Sequence, residues 1–132
     1  MKRDMDLLRE ILFYIEDNYV AGQGPISVPI DGYTDGEVYE HCILAYQCGL
    51  IQKPLDTSTT TEFSCMVNNL TNAGYDYIEA IRDNNRWNKV KKTIKDKGLP
   101  FLVETIKTIA SAFITAAAEG VANSIIKNGG GD

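Results

Sequence analysis

The chain has 132 residues, 44% apolar and 23% charged, which suits one folded core with an extra element. Three cysteines at irregular spacing and a single histidine exclude a disulfide framework and leave no metal-ligand cluster. Its net charge of -5 is unevenly spread: residues 1–81 carry 4 Lys/Arg against 13 Asp/Glu, residues 82–97 carry 7 against 2, and residues 98–132 carry 2 against 3. A basic cassette therefore lies between an acidic segment and a nearly neutral one.

The opening MKRDMDLLRE lacks an apolar run of signal-peptide type. With the reduced-thiol reading, this predicts a cytoplasmic protein. Asp4 is the expected N-cap of a first helix running to about Tyr19, with Met5, Leu8, Leu12, Ile15 and Tyr19 on its core face. Gly22, Gln23, Gly24 and Pro25 then read as a turn; no strand precedes them and no GK[ST] follows, so they do not form a phosphate loop. Ile26, Val28 and Ile30 alternate as a short strand, which Pro29 confines to an edge or bulge.

The segment TDGEVYEHCILAYQCGLI, residues 34–51, is the expected central helix and its exit. Thr34 and Glu37 have the spacing of a capping box, and Tyr33 and Val38 that of a hydrophobic staple. Val38, Cys42 and Ala45 form one buried stripe, with Tyr39, Ile43, Tyr46 and Leu50 as a second beside it. Gly49 supplies a left-handed stop. His41 is expected on the exposed face, with Asp35, Glu37 and Glu40. Adjacent His41 and Cys42 point about 100° apart on a helix and cannot pair directly.

Residues 50–55 and 63–67 alternate with period two around the polar turn DTSTTT, which predicts a hairpin. Thr71 caps a third helix carrying Ile78 and Ile81, and the sequon at Asn69 has no consequence without secretion. After Asp83, Asn84 and Asn85, a basic helix follows with Trp87, Val90 and Ile94 on its apolar side. Gly98 and Pro100 end it. Residues 101–126 are the most apolar stretch; Glu104, Thr108, Ser111, Thr115, Glu119, Asn123 and Lys127 fall in one narrow stripe. The expected organisation is a domain over residues 1–83, a basic helix over 84–98, an apolar helix over 99–127 and a disordered end over 128–132. The fold class is α+β, mainly α: a winged-helix order with a small β-hairpin wing and two further helices.

The segments MKRDMDL, IxVPIDGY, GLI, LTNAGYDYIEAIRD and WNKVKK together resemble a family of small bacterial and prophage proteins. That family is catalogued as a domain of unknown function, number twenty-five-thirteen, and the resemblance covers residues 1–97. It implies a winged-helix-like fold and phage or mobile-element surroundings, and it brings no activity or catalytic residues.

For function, the central helix argues against reading DNA. Residues 34–49 contain no Lys or Arg and offer Asp35, Glu37 and Glu40 to a polyanion. Arg82, Arg86, Lys89, Lys92 and Lys95 recur at steps of three and four and could hold phosphates, or merely offset the acidic segment. No Walker motif, nucleophile elbow or cysteine–histidine cluster is present, so neither an enzyme nor a cofactor is expected. The leading expectation is a non-enzymatic interaction or regulatory protein that meets a protein partner through Asp35, Glu37, Glu40 and His41. It would self-associate along Leu102, Ile106, Ile109, Phe113, Ala117 and Val121, beside a second seam of Val103, Ala110, Ala117 and Val121, with small residues such as Ala116, Ala118, Gly120 and Ala122 permitting close approach. The alternatives are a DNA-binding regulator and a membrane-active effector. The longest uncharged run, residues 108–118, is shorter than the ~20 residues of a simple span, but an assembled bundle could turn its polar stripe inward.

Overall fold

The computed structural model describes residues 1–129 and divides the chain into two units, Met1–Ile78 and Glu79–Asp132. Its elements run α1 (Met5–Asn18), α2 (Asp35–Gln47), β1 (Leu55–Asp56), β2 (Cys65–Met66), α3 (Asn72–Ile81), α4 (Asn84–Asp96) and α5 (Val103–Gly129). The protein is thus mainly helical, with one small antiparallel sheet.

In the first unit each helix begins where its cap dictates. The Asp4 carboxylate accepts the Leu7 N–H at 3.0 Å and starts α1. The buried face of α1 is Met5, Leu7, Leu8, Ile11, Leu12 and Ile15, all but free of solvent. At α2 both bonds of the capping box form, Glu37 N–H to Thr34 Oγ1 and Thr34 N–H to Glu37 Oε1, each 3.1 Å. Gly49 ends it at φ +76°, and the Leu50 N–H returns to the Ala45 carbonyl. Only the first expected stripe of α2 is core. Tyr39 and Ile43 stay half-buried and Tyr46 is exposed, whereas Leu50 is buried.

The expected strands shrink to fragments. Leu55 pairs with Met66 and Asp56 with Cys65, while the first expected strand is a single bridge between Ile26 and Val67. Pro29 and Pro54 explain this, since each removes the N–H that a longer ladder needs. A further bridge joins Ile51 to Leu70. The hairpin is closed mainly by side chains: the Thr57 and Ser64 hydroxyls lie 2.8 Å apart, and the Ser58 hydroxyl accepts the Ser64 N–H.

Thr71 joins α3 to the segment after α2. Its hydroxyl donates to the Gly49 carbonyl at 2.6 Å and accepts the Gly74 N–H at 3.0 Å, while its own N–H donates to the Leu50 carbonyl. Further along α3, Tyr77 is 1% exposed, and its hydroxyl finds no hydrogen-bond partner among the described residues. Burial pushes its phenol well above the ordinary range. A buried orphan hydroxyl costs about 1–3 kcal/mol. Tyr77→Phe is therefore expected to match or exceed the parent in stability, by up to about 1 kcal/mol in urea denaturation; a loss of stability would reveal a bond to that hydroxyl.

In the second unit α4 packs against α5. Asp83 caps α4 by accepting the Arg86 N–H at 2.8 Å, and Gly98 at φ +62° turns the chain. Trp87, Val90 and Ile94 of α4 are buried, as are Val103, Ile106 and Ala110 of α5, and the Trp87 and Phe101 rings stack at 6.0 Å. α5 starts four residues later than expected, at Val103, and runs through Gly129. Of the end expected to be disordered, residues 130–132 lie outside the described residues.

Candidate functional site

The cationic row of α4 divides into committed and exposed members. Arg82 pairs with Glu79 at 2.6 Å, a surface ion pair of small energetic consequence. Arg86 is half-buried and donates to the Ala80 carbonyl at 3.3 Å. Lys91, left out of the expected row, places its ammonium 5.5 Å from the centre of the Trp87 ring. Lys89, Lys92 and Lys95 are exposed, so three of the five expected phosphate contacts present their charge to solvent.

Burial stops part-way along α5. Val103, Ile106 and Ala110 are buried, so Ile106 cannot serve the intermolecular seam expected of it; its side chain is wholly buried. Val103 and Ala110 are likewise lost to the second seam. From Ser111 onward the helix has no buried residue over the positions described to Ile126. Leu102 is 37% exposed, Ile109 and Phe113 half-buried, Ala117 exposed, and Val121, Ile125 and Ile126 are 60–69% exposed. Within Val103–Ile126 the most apolar window has a mean hydropathy of 1.5, yet only 6% of that window is buried. Two rows run along this exposed length: Ser111, Thr115, Glu119 and Asn123 are polar, and Ala112, Ala116, Gly120 and Ser124 are small. Arg86 overlooks a groove of about 470 Å³ formed with Ile114, Ala117, Val121 and Ile125.

The acidic set on α2 is also divided. Asp35 and Glu40 are exposed, and Glu37 is exposed although its carboxylate closes the capping box. His41 is not on the surface: it is 1% exposed. Its Nε2 accepts the Asp4 N–H at 2.9 Å, so Nδ1 carries the proton and donates to the Glu37 carbonyl at 2.8 Å. That neutral tautomer ties the start of α1 to α2, and the ring is unavailable to a partner. The signal missed in the sequence is that Asp4, as an N-cap, leaves its own N–H needing an acceptor.

Comparison with known proteins places the chain. The sequence profile of the family described as "Hypothetical protein (DUF2513)" matches residues 2–100. The chain belongs to this family. An "Uncharacterized protein" of Haemophilus influenzae (strain ATCC 51907 / DSM 11121 / KW20 / Rd) is 33% identical over 115 residues, covering 87% of this chain and 97% of that relative. No solved structure matches. The DUF2513 match takes in the first unit and α4 and stops before α5 begins.

Proposed function

We propose that this DUF2513 protein acts by binding rather than catalysis, and that α5 anchors it in a membrane as a self-associated bundle. One observation carries the reading: after Ala110, α5 continues for sixteen described residues of which none is buried and all but Phe113 and Ile114 are exposed. Full intramolecular burial, which would satisfy a helix of this kind in water, ends at Ala110, and partial burial ends at Ile114. The narrow polar row argues against a two-stranded coiled coil, whose helices are polar over most of their surface. A bundle in lipid reverses that demand. Its polar and small residues meet neighbouring copies, and its broad apolar side meets acyl chains.

Length and charge agree with this reading. Residues 108–126 would rise about 28 Å as a helix, against ~30 Å for a hydrocarbon core. Glu119 is the one ionisable residue in that segment. Placed in the polar row, it would face other copies rather than lipid, which lowers the penalty that an uncharged-run criterion assigns. The seven Lys/Arg of residues 82–97 lie just before it, the bias that places a flank on the cytoplasmic side and draws it to anionic headgroups. This keeps the DUF2513 domain in the cytoplasm, with Asp35 and Glu40 of α2 open to a protein partner. We also read the first unit as a winged-helix variant, supported by the order α1, bridge, α2, β1, β2, α3.

The test is flotation of the full chain with vesicles, neutral or containing anionic phospholipid, followed by mass determination in mild detergent. Flotation strengthened by anionic lipid, with a mass several times that of one chain, is expected. A monomer that stays in the aqueous fraction overturns the proposal; a water-soluble oligomer that does not float removes the membrane and leaves self-association. The exposed row Lys89, Lys92 and Lys95 favours a second reading, nucleic-acid contact. A gel shift at low salt that fades steeply by moderate salt would support it.

A further inference from the structure

The three cysteines are not equivalent. Cys48 is exposed at the end of α2, whereas Cys42, one turn and a half earlier, is 1% exposed. Cys65, on β2, is half-buried. Cys42 and Cys65 line a single open cavity of about 220 Å³ with Ser27, Val38, Tyr39 and Phe63. Asp56, which pairs with Cys65 across the hairpin, accepts a hydrogen bond from Tyr39, one turn before Cys42 on α2, so the register brings the two cysteines to the same cavity. Interaction with Cys65, reinforced by burial, pushes the Cys42 thiol up, and the same interaction pulls Cys65 down against its partial burial. Cys65, the more exposed of the two, is the member placed to react first.

Neighbouring contacts hold the two elements in this register. The Tyr39 hydroxyl of α2 donates to the Asp56 carboxylate of β1 at 3.1 Å, and the Tyr39 and Phe63 rings approach to 5.4 Å. The Asp56 carboxyl is held below its usual range, first by the Ser58 hydroxyl and N–H and then by Tyr39. A sulfur modified on Cys65 would thus remain beside Cys42 rather than swing into solvent.

We propose that Cys42 and Cys65 form a thiol-oxidation site that reacts with small hydroperoxides and closes to an intramolecular disulfide between α2 and β2. In the first step the Cys65 thiolate attacks one peroxide oxygen. The O–O bond breaks, Cys65 becomes a sulfenic acid, and the departing oxygen takes a proton and leaves as water. In the second step the Cys42 sulfur attacks the Cys65 sulfur as its proton is released. The S–O bond breaks and a second water leaves. Two thiols are oxidised by two electrons and one hydrogen peroxide is reduced to two waters.

The experiment treats the reduced full chain with a few equivalents of hydrogen peroxide, then blocks remaining thiols under denaturing conditions and reads intact and proteolytic masses. The expected product has lost the mass of two hydrogen atoms and labels at one cysteine, Cys48. It contains a Cys42–Cys65 linked peptide pair and returns to three labelled thiols with dithiothreitol. Cys48→Ser, which leaves the pair untouched, should form the same bond at an unchanged rate, while Cys65→Ser should lose it entirely. Three labelled thiols after peroxide would overturn the proposal. So would sulfinic acid at Cys65 with Cys42 still labelled, or a disulfide that requires Cys48.

Discussion

Gly74→Ala is expected to destabilise the first unit by about 3 kcal/mol, the upper end of what one extra methyl normally costs in a packed interior. A Cβ at position 74 would land on the Leu50 carbonyl oxygen, with the carbonyl carbon at 3.0 Å and Leu70 Cβ at 3.3 Å. The obstacle is backbone, so no side-chain rotation relieves it. Nor can the Leu50 segment easily withdraw: its carbonyl accepts the Thr71 N–H, the adjacent Gly49 carbonyl accepts the Thr71 hydroxyl, and Leu50 itself is buried. Moving it would strain bonds that each contribute about 1 kcal/mol and shift a core side chain. Gly36→Ala is the matched control. It lies in the first turn of α2 with only Thr34 Oγ1, at 4.0 Å, near the added carbon. Removing glycine there should stabilise by roughly 0.5–1 kcal/mol. Urea denaturation of both variants settles the matter; a Gly74→Ala protein within 0.5 kcal/mol of the parent would mean that α3 does not rest on residue 50.

That close approach also shows what the sequence conveyed and what it withheld. The starts of α1, α2 and α3 were legible because a cap is a local device: Asp4, Thr34 with Glu37, and Thr71 each satisfy a donor three residues away. The core face of α1 was legible for the same reason, through its helical spacing. The strands were over-read. Period-two alternation marks a pleated segment but does not guarantee a partner, and the prolines leave room only for short pairings. His41 was misplaced because the group that makes its burial tolerable, the Asp4 N–H, lies 37 residues away. The Cys42–Cys65 contact is equally non-local, joining a helix to a strand with no motif spacing to announce it. For α5 the composition was plain, but where burial ends was not. The stopping point at Ala110 depends on what packs against the helix, and no periodicity within α5 encodes it.

If the exposed part of α5 enters lipid, Val121→Arg should reduce the vesicle-bound fraction about a hundredfold. Val121 is 60% exposed and, at 100° per residue, lies roughly opposite Glu119 round the helix, on the side assigned to acyl chains. An arginine in the middle of an inserted helix costs about 2.5–3.5 kcal/mol, and tenfold in partition corresponds to about 1.4 kcal/mol. The same variant should leave the folding of its unit unchanged, because the core of Trp87, Val90, Ile94, Val103, Ile106 and Ala110 lies elsewhere. Glu119→Ala separates insertion from assembly. It removes the charge that other copies are asked to face, so flotation should persist or strengthen while the mass in detergent falls. A Val121→Arg protein that floats like the parent would place Val121 away from lipid. A Glu119→Ala protein that keeps the parental mass would remove the polar row from the assembly.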